Sequence, residues 1–408
     1  KNLPQSMLFG RNSMGVAFMR GDWGDSDELY ASFKAGDMLA HHDHYDTGHF
    51  SIQLGGLLAP LTGLYGGGAT YTSPYRLGYT IQTVASNSLL ILAPDETARA
   101  LLSQPNRPWT SLSGGQRVIN PTGFDCLSVA DFRRLLTSGR HLERGSITAH
   151  STVPGKLDYY AADITEAYNS TRFAEPGATA KVSRVTRQFA YLRRERAFVV
   201  FDRIDTTSPA YTPKFLLHTM SKPESPAASR LLAGNSPDDG ILDTSARTLR
   251  SAEGRGTLIH HILLPASVRT LLIGGPGFGS YVEHDGDESN GFNGTNLQPT
   301  GGEGKPGPKP GGRWRVEVSP ASPSTENVFL NVLVPRLAAD ESARPRIELL
   351  PSGADAVAVR VGQSAAVFSR SGKALTGAGL KPATGLECWL LDAAPGAGRR
   401  GAAGARSS

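Results

Sequence analysis

The 408-residue chain has very little cysteine and no long hydrophobic run. Its two cysteines, Cys126 and Cys388, are 262 positions apart and neither belongs to a CxxC pair, which excludes a disulfide framework and a cysteine-rich zinc site. No stretch approaches the roughly 18 consecutive apolar residues of a membrane-spanning helix. The sequence therefore predicts a soluble, globular protein with no membrane span.

Motifs of several common functional classes are also missing. No GxGxxG opens a helix after a strand, and neither GxxxxGK[ST] nor GxSxG occurs, so nothing supports a dinucleotide, nucleotide or α/β-hydrolase site. No zinc finger, helix-turn-helix or RNP-like strand is present, so we expect no nucleic-acid partner. The net charge of +5 permits an anionic partner without requiring one.

Glycine and proline are abundant, with 47 and 27 residues, which indicates many turns and therefore many short strands. Strand-length runs rich in Val, Ile, Phe and Tyr follow one another without intervening helices of 10–15 residues. The runs lie at 15–40, 50–65, 88–93, 156–168, 180–192, 197–204, 214–219, 257–264 and 313–318. We expect an all-β fold, a large antiparallel β-sandwich with one short helix.

The predicted organisation is a main β-sandwich over 1–270, an insertion over 271–312, C-terminal strands over 313–392 that complete the sandwich, and a disordered tail over 393–408. The insertion and the tail are expected to be flexible because they are rich in glycine, proline or charge. The helix is expected within residues 125–140, where apolar residues recur at helical spacing and Ser128 is a candidate N-cap.

Four of the ten histidines fall in one segment, HHDHYDTGHF, at residues 41–50. If this segment runs into a strand at Phe50, then His42, His44 and Asp46 share one face. Such a face can orient a general base through a carboxylate, or it can begin a zinc site. The alternative is a polar, solvated loop that carries histidines by chance.

Several stretches resemble landmarks of the β-sheet region of heparinase II/III-like polysaccharide lyases. The amino-terminal ones are MRGDW (19–23), the histidine segment, GGLLAPLTGLYG (55–66) and YTIQTVASNSLLILAPDE (79–96). The later ones are GGQR (114–117), DYYAADITEAY (158–168), FVVFDRI (198–204), KFLLHTMSKP (214–223) and WRVEVSP (314–320). The resemblance covers roughly residues 10–370.

Complete members of that family join an N-terminal α/α toroid to a C-terminal β-sandwich and cleave uronate-containing polysaccharides by β-elimination. The resemblance therefore implies an acidic polysaccharide as partner and a periplasmic or secreted location. This chain has no toroid and does not begin with methionine, so we expect a mature product or a fragment whose toroid lies upstream of Lys1.

The resemblance also implies a zinc ion, with His42 at the catalytic cleft and His44 as a metal ligand. The usual aspartate before the Gly-x-Tyr turn is replaced, since Leu61 and Thr62 precede Gly63. The usual second histidine is replaced by Ser86. Because a structural zinc needs four ligands, the sequence argues against the usual site, while Asp46 or His49 remain candidates for a rearranged one.

β-Elimination needs a group that neutralises the uronate, a base, and an acid for the leaving oxygen. His42 is the candidate for proton transfer, and Tyr71, Tyr75 and Tyr79 are candidate partners if a nearby cation lowers a phenol pKa. The alternative for each is an ordinary half-buried sheet tyrosine. Candidate substrate-binding residues are His49, Asn87 and Arg117.

Other polar residues have structural interpretations. Asp202 and Arg203 are expected to form an ion pair, and His218, His260 and His261 are expected in the core or at a sheet edge. A basic run from Arg184 to Arg196 indicates either polymer contact or a solvated sheet face. Two rival functions remain: a non-catalytic carbohydrate-binding or scaffold module, and a β subunit active only with a separate toroid chain.

Overall fold

The computed structural model describes most of the chain. The described residues are 3–24, 27–37, 43–63, 75–93, 100–101, 104–108, 112–116, 128–137, 144–169, 180–283, 294–297, 313–372, 375, 388–392 and 402–404. The predicted site residues His42, Tyr71 and Arg117 lie outside these ranges, as do most of the predicted insertion and tail.

Antiparallel strands dominate the structure and confirm the all-β prediction. The strands are β1 (Ser6–Phe9), β2 (Val16–Arg20), β3 (Tyr30–Lys34), β4 (His49–Gln53), β5 (Leu57–Ala59), β6 (Leu89–Leu92), β7 (Ala100–Leu101), β8 (Gln104–Pro108), β9 (Ser146–Val153), β10 (Leu157–Asp163), β11 (Val182–Leu192), β12 (Ala197–Thr206), β13 (Thr212–Thr219), β14 (Ser229–Ser236), β15 (Asp239–Thr244), β16 (Thr248–Glu253), β17 (Gly256–Leu264), β18 (Val268–Gly274), β19 (Tyr281–Val282), β20 (Thr295–Asn296), β21 (Trp314–Pro320), β22 (Glu326–Leu337), β23 (Ile347–Leu350), β24 (Ala356–Val361), β25 (Ser364–Ser369), β26 (Cys388–Asp392) and β27 (Ala402–Gly404).

The helical segments are short. They are α1 (Val129–Thr137), α2 (Glu166–Asn169), a π-helical turn (Arg76–Thr80) and 3₁₀ turns at Thr83–Ala85, Leu112–Gly114 and Ala338–Ala343. The predicted helix is α1, and Ser128 caps it because its Oγ accepts a hydrogen bond of 3.1 Å from the Asp131 N–H. None of the helices in the described ranges is long and apolar enough to cross a membrane.

Three sheets surround the main core. The first is the meander β1-β2-β3-β4-β5, the second has the order β16-β17-β22-β12-β11-β10-β9, and the third has the order β14-β15-β18-β21-β13-β6. They meet at stacked phenylalanines: Phe189 of β11 lies 5.4 Å from Phe33 and 5.3 Å from Phe50, and Phe50 lies 6.4 Å from Phe215 of the third sheet. Ring burial of this kind is a major source of stability for the assembled sheets.

A fourth sheet, β23-β24-β25-β26-β27, covers the other face of the seven-stranded sheet. Phe368 of β25 stacks on Phe201 of β12 with ring centroids 4.9 Å apart. Since β12 is covered on both faces, residues 197–202 are all buried, which explains their continuous apolar run.

The structure refines the predicted boundaries. β18 runs across residue 270, and β19 pairs with β20 within the predicted insertion. β21 and β22 lie within the main sheets, and β23 to β27 form a sheet of their own. Within the predicted tail, β27 pairs with β26. The disorder expected for the tail stays a prediction.

A buried arginine joins the seven-stranded sheet to two loops. Arg187 and Asp202 lie opposite each other on β11 and β12, both fully buried, and the guanidinium donates to both carboxylate oxygens at 2.6 and 2.9 Å. Arg187 Nη1 also donates to the carbonyls of Gly48 at 2.7 Å and Asn87 at 2.8 Å. The interpretation of Arg187 as part of an exposed basic face is therefore wrong.

The prediction that Asp202 forms an ion pair with Arg203 is also wrong. Adjacent strand residues point to opposite faces, so Asp202 turns toward Arg187 while Arg203 Nη2 pairs with Asp205 at 3.1 Å. His218 and His260 are buried as expected, and His260 Nε2 lies 2.8 Å from Asn331 Oδ1.

We expect Asp202→Asn to lower the free energy of unfolding by about 3–5 kcal/mol, because it leaves the buried Arg187 cation without its counter-charge. Asp243→Asn is the matched control, since Asp243 pairs with Arg230 at an exposed site and such pairs contribute about 1 kcal/mol or less. Urea denaturation of the two variants measures the difference. Equal stability losses would contradict the role given to Asp202.

Candidate functional site

The outer face of the first sheet carries the candidate site. In β4, Phe50 and Ile52 are buried in the core, so His49, Ser51 and Gln53 point to the opposite face. Lys34 of β3 pairs in register with His49. This face therefore holds an imidazole that is 7% exposed beside an ammonium group whose side chain is 21% exposed.

The histidine segment enters this face as a loop. Residues 43–48 are not in a strand, and β4 begins at His49, so the expected strand alternation does not position His44 and Asp46. A turn interrupts the extended chain at Gly48, whose φ of +82° favours glycine. Buried Thr47 fixes the turn, because its carbonyl accepts hydrogen bonds of 2.7 Å from Ser88 Oγ and Gln116 Nε2.

Four charged side chains hold this loop, and we call Lys34, Asp43, Asp46 and Arg144 the charge cluster. Lys34 Nζ pairs with Asp43 and, at 2.8 Å, with Asp46. Arg144 Nη2 lies 2.9 Å from Asp43, and its Nη1 lies 3.8 Å from Asp46 and donates to the His44 carbonyl. Although burial raises the pKa of Asp46, Lys34 and Arg144 outweigh it and lower that pKa to about 2.

His49 is a neutral imidazole of defined tautomer. The Asn87 N–H donates to His49 Nδ1 at 3.0 Å, so the ring proton belongs on Nε2. Burial lowers the pKa of His49 to about 4, which keeps the ring neutral near pH 7. The ring can therefore donate a hydrogen bond through Nε2–H to an oxygen on a ligand.

Asn87 positions His49 through its backbone N–H. The Asn87 side chain is fully buried, its Nδ2 donates to the carbonyls of Phe50 at 2.9 Å and Pro60 at 3.1 Å, and its Oδ1 accepts from the His218 N–H at 2.7 Å. The structure thus engages the amide of Asn87 within the protein. Its backbone N–H holds the imidazole of His49.

Tyr75 and Tyr79 lie in a separate small core, with ring centroids 5.8 Å apart. Burial raises the pKa of Tyr75 to about 12 and also raises that of Tyr79, despite the nearby Arg315. Tyr79 Oη hydrogen-bonds Thr62 Oγ1 at 2.8 Å. Both phenols therefore keep their protons near neutral pH, and the expectation of a cation-lowered pKa is wrong for them.

The described residues do not fit the zinc ion that the resemblance implied. No group of three histidine, cysteine or acidic side chains with metal-binding geometry occurs among them. The Asp46 carboxylate is engaged by two cations, and Ser86 is buried with its Oγ donating to the Thr83 carbonyl at 2.8 Å. We therefore derive no step through a metal.

Sequence reasoning missed Lys34 and Arg144. Lys34 is an outward position of an alternating strand and belongs to no motif, and Arg144 lies about 100 residues after the loop it binds. The available signal was the closeness of Asp43 and Asp46, because two neighbouring carboxylates raise each other's pKa unless cations lie nearby.

No family model and no curated protein matches this chain. Among solved structures, the heparan sulfate lyase HepC from Pedobacter heparinus is similar, with a TM-score of 0.50 and 10% identity over 91% of this chain and 41% of that one. A heparinase III structure has a TM-score of 0.48 at 11% identity over 88% of this chain and 42% of that one. The chain thus has the fold of one portion of the heparan sulfate lyase HepC, and it spans about two fifths of the length of that enzyme.

We expect the free energy of unfolding to fall as the pH is lowered from about 6.5 to 4. Unfolded histidine has a pKa near 6.5 and folded His49 near 4, so the unfolded chain binds the proton first and stability is lost in this window. His49→Asn retains an acceptor for the Asn87 N–H but cannot titrate. Its unfolding free energy should fall less than that of the wild type, by on the order of 3 kcal/mol, in urea titrations across the window. Identical pH profiles would show that His49 is not held neutral.

We expect chelator treatment to leave the melting temperature unchanged and metal analysis to find far less than one zinc per chain. The reason is that the charge cluster, rather than a metal, holds the histidine loop. A structural zinc contributes directly to folding free energy, so its removal would lower the melting temperature. Stoichiometric zinc whose removal destabilises the protein would refute this interpretation.

Proposed function

We propose that this chain is the β-region of a polysaccharide lyase that cleaves an acidic, uronate-bearing polysaccharide by β-elimination. The observation that carries the proposal is a neutral imidazole, His49, beside Lys34 on the outer face of a sheet in a heparan-sulfate-lyase fold. The complete protein also has a helical toroid, upstream of Lys1 or as a separate chain, and acts in the periplasm or outside the cell.

The reaction removes the C5 proton beside the uronate carboxylate and expels the oxygen at C4. In the proposal His42 transfers the proton, and His49 Nε2–H donates a hydrogen bond to a substrate oxygen, where it stabilises developing negative charge. Arg117 binds a uronate carboxylate. Asp46 supports the site through the charge cluster, in which Arg144 also holds the His44 carbonyl.

The tyrosines divide in this proposal. Tyr75 and Tyr79 have raised pKa values, so they can donate a proton but cannot act as bases. Because Tyr79 is fully enclosed, we assign it to hold the segment that carries Asn87. Tyr75 is buried beside it, so Tyr71 is the candidate for proton transfer to the leaving oxygen.

A non-catalytic carbohydrate-binding module is the second candidate function. Leu61 and buried Ser86 at the expected ligand positions favour it, since a chain that has lost a metal site can retain a binding face. The β subunit that needs a separate toroid chain differs from both by requiring a partner for turnover.

We expect the complete protein to produce unsaturated uronate, measured by its ultraviolet absorbance, from an acidic polysaccharide. His42→Ala should lower kcat by roughly 10²–10⁴-fold with unchanged circular dichroism, because a proton-transfer group is lost. His150→Ala, on β9, is the control histidine. Binding without turnover would replace the lyase proposal with the module, and turnover only on mixing with a helical chain would assign a β subunit. A full rate in His42→Ala would remove His42 from the mechanism.

A further inference from the structure

An exposed aromatic groove lies on the same sheet as His49. It encloses about 340 Å³, and we define it by Met7, Phe9, Phe18, Arg20, Trp23 and Tyr30. Trp23 is 43% exposed and Phe9 45%, although aromatic side chains of this size are usually covered. A contiguous exposed apolar surface of this kind marks an interaction site.

Strand alternation builds the groove. Ala17 and Met19 of β2 are buried in the core, so Phe18 and Arg20 point outward, next to Tyr30 of β3. Phe18 stacks on Tyr30 at 6.0 Å and meets Phe9 edge-on at 5.9 Å. The rings hold one another in place before any ligand arrives.

Arg20 gives the groove a positive charge. Its guanidinium carbon lies 4.4 Å from the Trp23 ring centroid and 5.1 Å from that of Tyr30. The indole is fixed by a hydrogen bond of 3.1 Å from Trp23 Nε1 to the Pro4 carbonyl. Among the described residues that line the groove, none is acidic.

A polar strip joins the groove to His49. Tyr30 pairs in register with Gln53, four residues along β4 from His49, which is about 13 Å at the rise of a strand. Ser32 and Ser51 lie between, with their hydroxyl oxygens 2.6 Å apart. The strip therefore offers hydrogen-bonding groups along a path from the imidazole to the groove.

We propose that this groove is a subsite for a sugar residue of the acidic polysaccharide, remote from the residue that contacts His49. Trp23, Phe18 and Tyr30 stack on the apolar face of the sugar ring, and Arg20 pairs with its carboxylate or sulfate. This inference rests on the proposed function. A sugar chain fits better than a protein helix, because the face continues from the groove in serine and glutamine rather than in apolar residues.

The test is isothermal titration of the 408-residue chain with acidic oligosaccharides of increasing length. Trp23→Ala should weaken binding of long oligosaccharides roughly 3- to 10-fold, with a smaller effect on a disaccharide, because only long chains reach from His49 to the groove. Trp23→Phe should restore much of the affinity. Arg20→Gln should weaken binding and reduce its salt dependence. Leu349→Ala, an exposed residue of the C-terminal sheet, is the matched control.

The possible failures are distinguishable. If the wild type binds acidic oligosaccharides and Trp23→Ala binds all lengths equally well, the groove inference fails while the proposed function stands. If the wild type binds none, the groove inference fails, and the turnover assay of the complete protein decides the proposed function. If Trp23→Ala alters sedimentation of the protein and not its glycan affinity, the groove is a protein contact and the inference is overturned.

Discussion

The buried ion pair between Arg187 and Asp202 is the interaction on which the site depends. It lies between the main sheets, where an unpaired charge is strongly destabilising, and it is satisfied because the guanidinium meets two carboxylate oxygens and two carbonyls. Those carbonyls belong to Gly48 and Asn87, the neighbours of His49 in sequence and in space. A rigid connection therefore leads from the seven-stranded sheet through Asn87 to the imidazole.

The buried histidines among the described residues are neutral near pH 7. Burial lowers the pKa of His49, His260 and His261 to about 4 and that of His218 well below its usual value. Positive charge near His49 comes instead from Lys34 and Arg187, which Asp46 and Asp202 balance. The imidazole that faces outward is thus a directional hydrogen-bond donor, and it keeps that character over the whole neutral pH range.

Local patterns in the sequence predicted most strands, because β-branched and aromatic runs between turn residues need no knowledge of their partners. They could not predict the sheet order: β6 pairs with β13, and β22 inserts between β12 and β17, which only the packing of the complete chain decides. Of the site, the sequence singled out His44, Asp46, His49 and Asn87 but not their arrangement. The roles of Arg187 and Arg144 could not be predicted, because each binds a loop at least a hundred residues away in the sequence.

The fourth sheet limits how far the chain can be truncated from its C-terminal end. It rests on the outward side of the seven-stranded sheet, where β12, β17 and β22 present Val199, Phe201, Ile259 and Leu330. Proteolysis before β23 would remove this cover. The exposed apolar surface of the seven-stranded sheet would then promote aggregation. The last stretch of the polypeptide therefore keeps the protein in solution in addition to forming a structural layer.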